Sequence, residues 1–251
     1  MLRSLIHGNI LHGVQMVDEP WCRQPTTYYG HDSGVGVATL NHPKRSQQPY
    51  PGMHLGVIGL GAGTLATYGG ELDRVTFYEI NPEVVRLNEL HFTYLKNLPH
   101  PPQMILGDAR IRMERQLQEK QPQNFDVLAV DAFSSDAIPM HLLTLESFKI
   151  YRDHLAPGGI LCIHVSNNHL NLVPVVRGLA DALQLKAGLV HGREEDAEQL
   201  SSNNWIVLTN NEDFWKDDKV QMHMNEWDSD DPPPLVWTDD YGALFQILKW
   251  K

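Results

Sequence analysis

The sequence predicts an α/β fold, with a mostly parallel seven-stranded sheet that carries helices on both faces and follows a small N-terminal β cap. Short apolar segments alternate with longer amphipathic ones through most of the chain, the pattern of βαβ units in a covered parallel sheet. The 251 residues, 42% of them hydrophobic, suffice for one large core. Every apolar run stops well short of the roughly 20 residues that a membrane helix needs, so we expect no membrane span.

The first 50 residues differ from the remainder and are predicted to form the cap. Two short strands are expected there, "GNILHGVQMV" and "SGVGVATL". The start, "MLRSLIHGN", lacks the apolar core of a secretory signal. A stretch rich in Pro and Gln, residues 41–52, then leads into the second unit. We therefore predict a cap of residues 1–50 and a nucleotide-binding catalytic domain of residues 51–251.

Seven strands are expected in the second unit. In chain order they are "MHLGVIGL", "RVTFYEI", "QMILGD", "FDVLAVDAF", "GGILCIHVSN", "KAGLVHG" and "NWIVLTN". Helices are expected at "TLATYGGEL", "PEVVRLNELHFTYL", "ARIRMERQLQEK", "HLLTLESFKIYRDHL" and "NLVPVVRGLADALQ". Only a short polar connection joins the last two strands, which predicts a hairpin with one antiparallel strand. Residues 225–234, rich in Asp and Pro, read as a second linker.

Charge and metal-binding residue types exclude several function classes. The formal net charge of -11 and the lack of a Lys/Arg cluster argue against a nucleic-acid partner and suit a cationic small molecule. The only cysteines, Cys22 and Cys162, are too isolated for a disulfide framework or a zinc site, and a reducing cytoplasm is the expected compartment. Thirteen histidines show no ligand spacing, so we predict no metal. His12 and His164 lie where the site could reach them, but a hydrogen-bonded structural role is expected for both.

The ends of the first four strands carry the candidate site. In an open α/β sheet, ligands bind beyond the carboxyl ends of the strands. The first strand leads into a glycine loop, and the next three end in carboxylates, one of them about 20 residues past the first glycine, where it can take the hydroxyls of a ribose. These residues are Gly59, Gly61, Gly63, Glu79, Asp108 and Asp131. Each aspartate alone could be a helix cap or a turn residue, but their alignment at one edge indicates a nucleotide site.

Two nucleotide classes remain after this step. The dinucleotide fingerprint needs a small residue at its sixth position, and Thr64 stands there instead. A pyrophosphate also prefers neutral or positive surroundings, which makes a nicotinamide cofactor the second choice. An adenosine ligand that has a positive centre and no phosphate fits the acidic rim better. S-adenosylmethionine and decarboxylated S-adenosylmethionine both have this character.

The motifs "VIGLGAGT", "FYEINPEVV", "ILGDAR" and "FDVLAVDAFSSDAIP" resemble the Rossmann-like methyltransferase superfamily, and more closely its spermidine synthase (aminopropyltransferase) branch. The segment "GNILHGVQMVDEPWCRQPTTYYG" is similar to the cap of that branch, and the resemblance extends over about residues 3 to 210. It implies aminopropyl transfer from decarboxylated S-adenosylmethionine to an amine. No metal is implied, and a homodimer stays open as the assembly.

The resemblance also implies residue roles. Asp131 is expected to be the catalytic carboxylate that faces the attacking amine. The donor nucleotide is expected to contact Gln15, the three loop glycines, Glu79 at the ribose, and Asp108 with Ala109 at the adenine edge. Asp136 corresponds to the second aspartate of the family turn, at a longer spacing. Apart from the resemblance, the aromatic rings of Tyr28, Tyr29, Phe133, Trp237 or Tyr241 could face a cation, although core packing is the commoner role for any one of them. The expected acceptor-binding set is Tyr28, Tyr29, Asp136 and Tyr241.

Two departures from the family pattern alter the expected acceptor site. His12 stands where the family has the Asp of "LDG", and Tyr28, Tyr29 and Gly30 stand where it has "YHE". Groups that help to hold a diamine are therefore missing. Three functions remain: an aminopropyltransferase, a methyltransferase that uses intact S-adenosylmethionine, and a nucleotide-binding relative without catalysis.

Overall fold

The N-terminal cap begins with an antiparallel strand pair. The structure, a computed structural model, describes residues 1–7, 10–132 and 139–249. Strand β1 (Leu2–His7) pairs with β2 (Ile10–Met16), as expected for "GNILHGVQMV". The pair lies against the first loop of the sheet domain, where the Ala62 amide donates to the His12 carbonyl over 3.2 Å. The cap strand thus backs the predicted nucleotide loop.

The central sheet has eight strands among the described residues, in the order β10-β8-β9-β7-β6-β3-β4-β5. Their bounds are β3 His54–Ile58, β4 Arg74–Glu79, β5 Gln103–Leu106, β6 Phe125–Val130, β7 Leu155–His164, β8 Ala187–Gly192, β9 Asn203–Leu208 and β10 Met224–Asn225. Strands β3 to β7 are parallel, and β9 inserts antiparallel between β7 and β8. The predicted parallel sheet and its hairpin are confirmed, with the two-residue β10 as an addition at one edge.

Helices cover both faces of this sheet. Their bounds are α1 Gly34–Leu40, α2 Pro82–His91, α3 Ala109–Gln118, α4 Leu145–Asp153, α5 Val173–Ala182, α6 Glu212–Trp215 and α7 Asp218–Gln221. One apolar cluster contains side chains of α3, α4 and α5, and a second contains side chains of α1, α6 and α7. Because β6 contributes to both clusters, it is buried on both faces and forms the middle of the core. None of the helices in the described ranges is long and apolar enough to span a membrane.

Two local predictions are wrong. "SGVGVATL" was expected to be a strand but forms the buried helix α1, capped by the Ser33 side chain, which accepts from the Gly36 amide. Its glycines are required by close packing, since a Cβ on Gly34 would lie 2.3 Å from the Cβ of Trp205. Tertiary contact therefore overrides the low helix propensity of glycine. "TLATYGGEL" contains only a short 3₁₀ helix, Thr64–Tyr68. The division at residue 50 stays a prediction.

A buried histidine beneath α1 makes the stability of the fold depend on pH. His42 is almost fully buried, and its Nδ1 accepts a hydrogen bond from the Lys44 amide. Burial lowers the pKa of His42 to about 4; the Asp126 carboxylate opposes this shift and Lys44 adds to it. Because the folded pKa lies below the unfolded value of about 6.5, protonation favours the unfolded chain. The contribution of His42 to stability is therefore complete above about pH 6.5 and declines as the pH falls towards 4.

We expect His42 to lower the free energy of unfolding by about 2 kcal/mol between pH 7.5 and pH 5. Urea unfolding at the two pH values measures this loss. The variant His42→Asn keeps an acceptor for the Lys44 amide and removes the titrating ring, so its stability should fall less over the same interval. His54 and His154, whose pKa values are also lowered by burial, retain their own pH dependence in that variant. Equal losses in wild type and variant would contradict the prediction.

Candidate functional site

The glycine loop that follows β3 has a backbone that side chains would block. Gly59, Gly61 and Gly63 adopt φ angles of 98°, 52° and 80°, in the left-handed region that favours glycine. A Cβ on Gly59 would lie 2.3 Å from the Asp131 carbonyl oxygen, and a Cβ on Gly61 would lie 2.6 Å from the His12 carbonyl oxygen. The loop is therefore packed between the end of β6 and the cap strand β2, with the backbone geometry that the sequence motif predicts.

Glu79 ties the end of β4 to this loop. Its Oε2 accepts from the Leu60 amide over 2.9 Å, and its Oε1 accepts from the Asn81 amide over 2.8 Å. A carboxylate oxygen has two lone pairs, so each can still accept a hydroxyl hydrogen bond from a ribose. The next side chain, Ile80, is 68% exposed at the same edge of the sheet. It offers an apolar surface beside the carboxylate, a role that no sequence motif indicates.

Asp108 is a helix cap, one of the two roles considered from the sequence, and its contact with an adenine stays a prediction. As a helix cap, its Oδ1 accepts from the Ile111 amide over 3.0 Å, and Ala109 begins α3 as a buried residue. Its Oδ2 lies 2.8 Å from Nε2 of His141, which is half-exposed. The Gly107 amide donates to the Glu79 carbonyl over 2.9 Å, which holds the two acidic strand ends side by side.

Asp131 lies at the centre of the site, directly after β6. Its amide donates to the Ile58 carbonyl over 2.9 Å, so it stands beside the first residue of the glycine loop. The Tyr29 hydroxyl donates a short hydrogen bond to Oδ2, and Nδ1 of His164 lies 2.7 Å from Oδ1. The side chain is only 11% exposed. A buried carboxylate with one donor on each oxygen is fixed in orientation and can present its remaining lone pairs to a substrate.

Two tyrosines of the cap lie beside Asp131. Burial raises the pKa of Tyr29 well above its usual range, and the adjacent Asp131 carboxylate raises it further, so Tyr29 remains a neutral donor. Burial and Asp131 also raise the pKa of Tyr28. The Tyr28 ring centroid lies 6.1 Å from that of Tyr29 and 5.4 Å from that of His164, and the residue is partly exposed. Tyr28 is thus the ring that a ligand can reach.

Gly30, at the position of the family glutamate, is closely approached by two side chains. A Cβ there would lie 2.9 Å from Oδ1 of Asp32 and 3.0 Å from a methyl carbon of Leu200. Leu200 belongs to the connection between β8 and β9, which pairs with Thr27 of the cap. A larger residue at this position would require the ends of these two side chains to move.

The remaining predicted residues comprise a buried glutamine, two aromatic residues near the C-terminus and two residues outside the described ranges. Gln15 is buried and uses its amide within the protein: Nε2 donates to the Cys22 carbonyl over 2.8 Å and to Thr93 Oγ1 over 2.7 Å, and Oε1 accepts from the Thr93 amide over 2.9 Å. Its contact with a nucleotide stays a prediction. Tyr241 is 58% exposed in a C-terminal turn. Asp136 and Phe133 lie outside the described residues, and Trp237 is buried in the core.

Two residues of the cluster were not assigned to the site from the sequence. His164 ends β7, the neighbour of β6, so the strand-end rule that selects Asp131 also selects it. Trp205 on β9 pairs with His164 in the sheet and stacks on its ring, with centroids 4.7 Å apart and planes at 14°. No local sequence pattern identifies Trp205, because it reaches the site only through antiparallel pairing with His164, which lies 41 residues earlier in the chain. The described residues contain no group of three or more potential metal ligands.

Comparisons with known proteins agree with the motifs. No family model matches the chain. A polyamine aminopropyltransferase of Vibrio vulnificus is 31% identical over 108 residues, which cover 42% of this chain and 35% of that protein. A probable polyamine aminopropyl transferase of Bifidobacterium longum is 24% identical over 168 residues, which cover 65% of this chain and 33% of that protein. The chain therefore spans about a third of the length of these relatives.

Solved structures share the fold. A probable spermidine synthase from Corynebacterium glutamicum superposes with a TM-score of 0.53 at 20% identity, covering 70% of this chain and 62% of that one. At this identity the likeness concerns the fold alone.

Proposed function

Because the chain is a spermidine synthase-like member of the Rossmann-like methyltransferase superfamily, we propose that it transfers an aminopropyl group from decarboxylated S-adenosylmethionine to an amine. The observation that carries the proposal is Asp131, a carboxylate held by two donors immediately beside the glycine loop. A proton acceptor so close to a nucleotide loop suits a reaction in which an amine attacks a nucleoside-linked carbon.

The donor is proposed to lie along the ends of β3, β4 and β5. Its ribose hydroxyls would bind Glu79, whose oxygens keep free lone pairs. Its adenine would lie between exposed Ile80 and the start of α3, with Asp108 and Ala109 at the edge. The sulfonium would then face Asp131, since that residue adjoins Gly59. An anionic site attracts this cation without a metal.

The chemical step needs one proton acceptor. The amine nitrogen forms a bond to the propyl carbon, the bond from that carbon to sulfur breaks, and its electron pair leaves with a neutral thioether, 5'-methylthioadenosine. The leaving group needs no acid. A free amine is protonated near neutral pH, so a proton must pass from nitrogen to Asp131 before or during attack. The rigid placement of carboxylate and donor also lowers the entropic cost of reaction.

The acceptor is proposed to differ from a diamine held at both ends by carboxylates. Gly30 cannot be replaced by a larger residue without displacing Leu200, and Tyr29 already donates to Asp131. The accessible ring of Tyr28 can instead hold a cation against its face. We therefore propose that the acceptor is an amine that is bulkier than putrescine or differently charged. Tyr28 and Tyr241 would be its aromatic contacts, and Asp136 would be a carboxylate contact.

Product analysis tests the function and separates it from a methyltransferase. The protein is incubated with decarboxylated or intact S-adenosylmethionine and a panel of amines, and nucleoside products are identified by mass spectrometry. We expect 5'-methylthioadenosine from the decarboxylated donor, with putrescine a poor acceptor relative to bulkier amines. S-adenosylhomocysteine from the intact donor would establish methyl transfer instead. Nucleoside binding without either product would identify a non-catalytic relative.

The compartment and the assembly remain proposals as well. We propose a cytoplasmic enzyme of polyamine metabolism, since two of the relatives that the chain matches bear names of that activity. A homodimer is the assembly that we propose to test, by light scattering at several protein concentrations.

A further inference from the structure

His164 and Asp131 form a buried pair at the carboxyl edge of the sheet. Nδ1 of His164 lies 2.7 Å from Oδ1 of Asp131, and the two side chains are 5% and 11% exposed. The second carboxylate oxygen accepts from the Tyr29 hydroxyl. An ionised carboxylate only accepts hydrogen bonds, so pairing with an ionised Asp131 requires the tautomer of His164 that carries its proton on Nδ1.

Two ring contacts and one strand pairing fix the position of the His164 ring. Trp205 stacks on one face at 4.7 Å, and its Nε1 donates to the Tyr28 carbonyl over 3.1 Å. The centroid of the partly exposed Tyr28 ring lies 5.4 Å from that of His164. Backbone pairing in the sheet fixes the residue itself, because His164 is opposite Trp205 in the register of β7 and β9. The imidazole has little freedom to turn its Nδ1 away from Asp131.

We propose that His164 is a positioning residue for the amine transfer: its Nδ1 proton holds the Asp131 carboxylate in the orientation that receives the proton of the acceptor. This inference rests on the proposed function. In the step itself, the proton moves from the amine to Asp131, the Nδ1 proton stays on His164, and Tyr29 keeps its own proton. The free lone pairs of Asp131 then point to the nucleotide loop rather than rotating about the side-chain bond.

A packing role and a positioning role for His164 predict opposite orders of activity for two variants. His164→Phe keeps a flat ring on Trp205 and removes the donor to Asp131. His164→Asn loses the ring but keeps an N–H group close to the place of Nδ1. If the ring serves only to fill the core, Phe is the better replacement in both stability and activity. If its proton positions Asp131, Phe gives the more stable protein and Asn the more active one.

The experiment measures melting temperature, affinity for 5'-methylthioadenosine, and kcat with the best acceptor for both variants. We expect Phe to lower kcat by about 10- to 100-fold with nucleoside affinity nearly unchanged, and Asn to recover at least about fivefold of that loss. In an Asp131→Asn background, the Phe substitution should have almost no further effect on kcat, since the group that it positions is already disabled. Activity that follows stability, or an undiminished Phe effect in that background, would overturn the proposal.

A spectroscopic measurement keeps this test separate from the proposed function. Long-range ¹⁵N–¹H spectra of the imidazole rings report which nitrogen of His164 is protonated, and they need no turnover. The positioning role requires the Nδ1-protonated form in wild type, with a changed signal in Asp131→Ala. A ring protonated only at Nε2 would exclude the role even if the enzyme is active. If the wild type makes no product but shows the Nδ1-protonated form, the proposed function fails, and the Asp131–His164 hydrogen bond is a structural contact.

Discussion

Asp131→Asn is expected to lower turnover by about 100-fold or more, while affinity for 5'-methylthioadenosine changes little. Asparagine is nearly isosteric but cannot accept the proton of an attacking amine. The proposed adenosine contacts come from other strand ends, so nucleoside binding should persist. Turnover under saturating donor, calorimetric nucleoside binding and melting temperature should be measured on the same preparation. Asparagine has only one accepting oxygen, so either Tyr29 or His164 loses its acceptor. We expect this loss to lower the free energy of unfolding by about 1 to 3 kcal/mol.

A matched control comes from the other end of the same strand. Asp126 is also buried on β6, where it accepts from the His54 amide over 2.9 Å and pairs with Lys44. Asp126→Asn should lower stability and leave turnover per folded molecule intact. If Asp131→Asn behaves in the same way, destabilised yet fully active, Asp131 is a structural turn residue and the catalytic assignment fails.

Glu79→Ala should weaken binding of 5'-methylthioadenosine by about 10- to 150-fold, equivalent to about 1.4 to 3 kcal/mol. The variant removes the proposed ribose acceptor, and it also deprives the Leu60 and Asn81 amides of their partner. Some of the loss will therefore come from a less ordered glycine loop. Glu79→Gln separates the two effects, because its single carbonyl oxygen can serve an amide but not both amides and a ribose.

Calorimetry on both variants, with melting temperatures, measures the effect. Glu83→Gln is the matched control, since Glu83 is an exposed acid of α2 paired only with Arg86 in the described structure. It should bind the nucleoside like wild type. Wild-type affinity in a folded Glu79→Ala protein would remove Glu79 from the binding site.

The sequence was sufficient to predict the sheet and the loop because both depend on local patterns. Apolar strands, intervening helices and the strand-end carboxylates all follow from short-range periodicity and from the rule that ligands bind at carboxyl ends. The direct contacts of Gly59 with Asp131 and of Glu79 with Leu60 confirm that these ends meet. Their roles towards a ligand stay predictions.

The errors arise where distant contacts decide the local structure. Helix α1 reads as a strand because glycine and valine alternate, yet a Cβ on Gly36 would lie 2.4 Å from the Gly30 carbonyl oxygen, and only a compact helix of small residues fits there. The partners of Gln15 are equally distant: its amide donates to Cys22 and to Thr93, the latter 78 residues away in sequence, and its contact with a nucleotide stays a prediction. No local pattern contains these partners.

The docking of the cap on β9 has a consequence for the order of assembly. Trp205 supports His164, donates to the Tyr28 carbonyl 177 positions earlier, and packs against Gly34, while Leu200 pairs with Thr27. Residues 27–34 therefore have no completed surface to pack on until β9 has joined the sheet. During synthesis, the tyrosines would emerge first yet reach their places only after β9 has been made, so the proposed site would close late in folding.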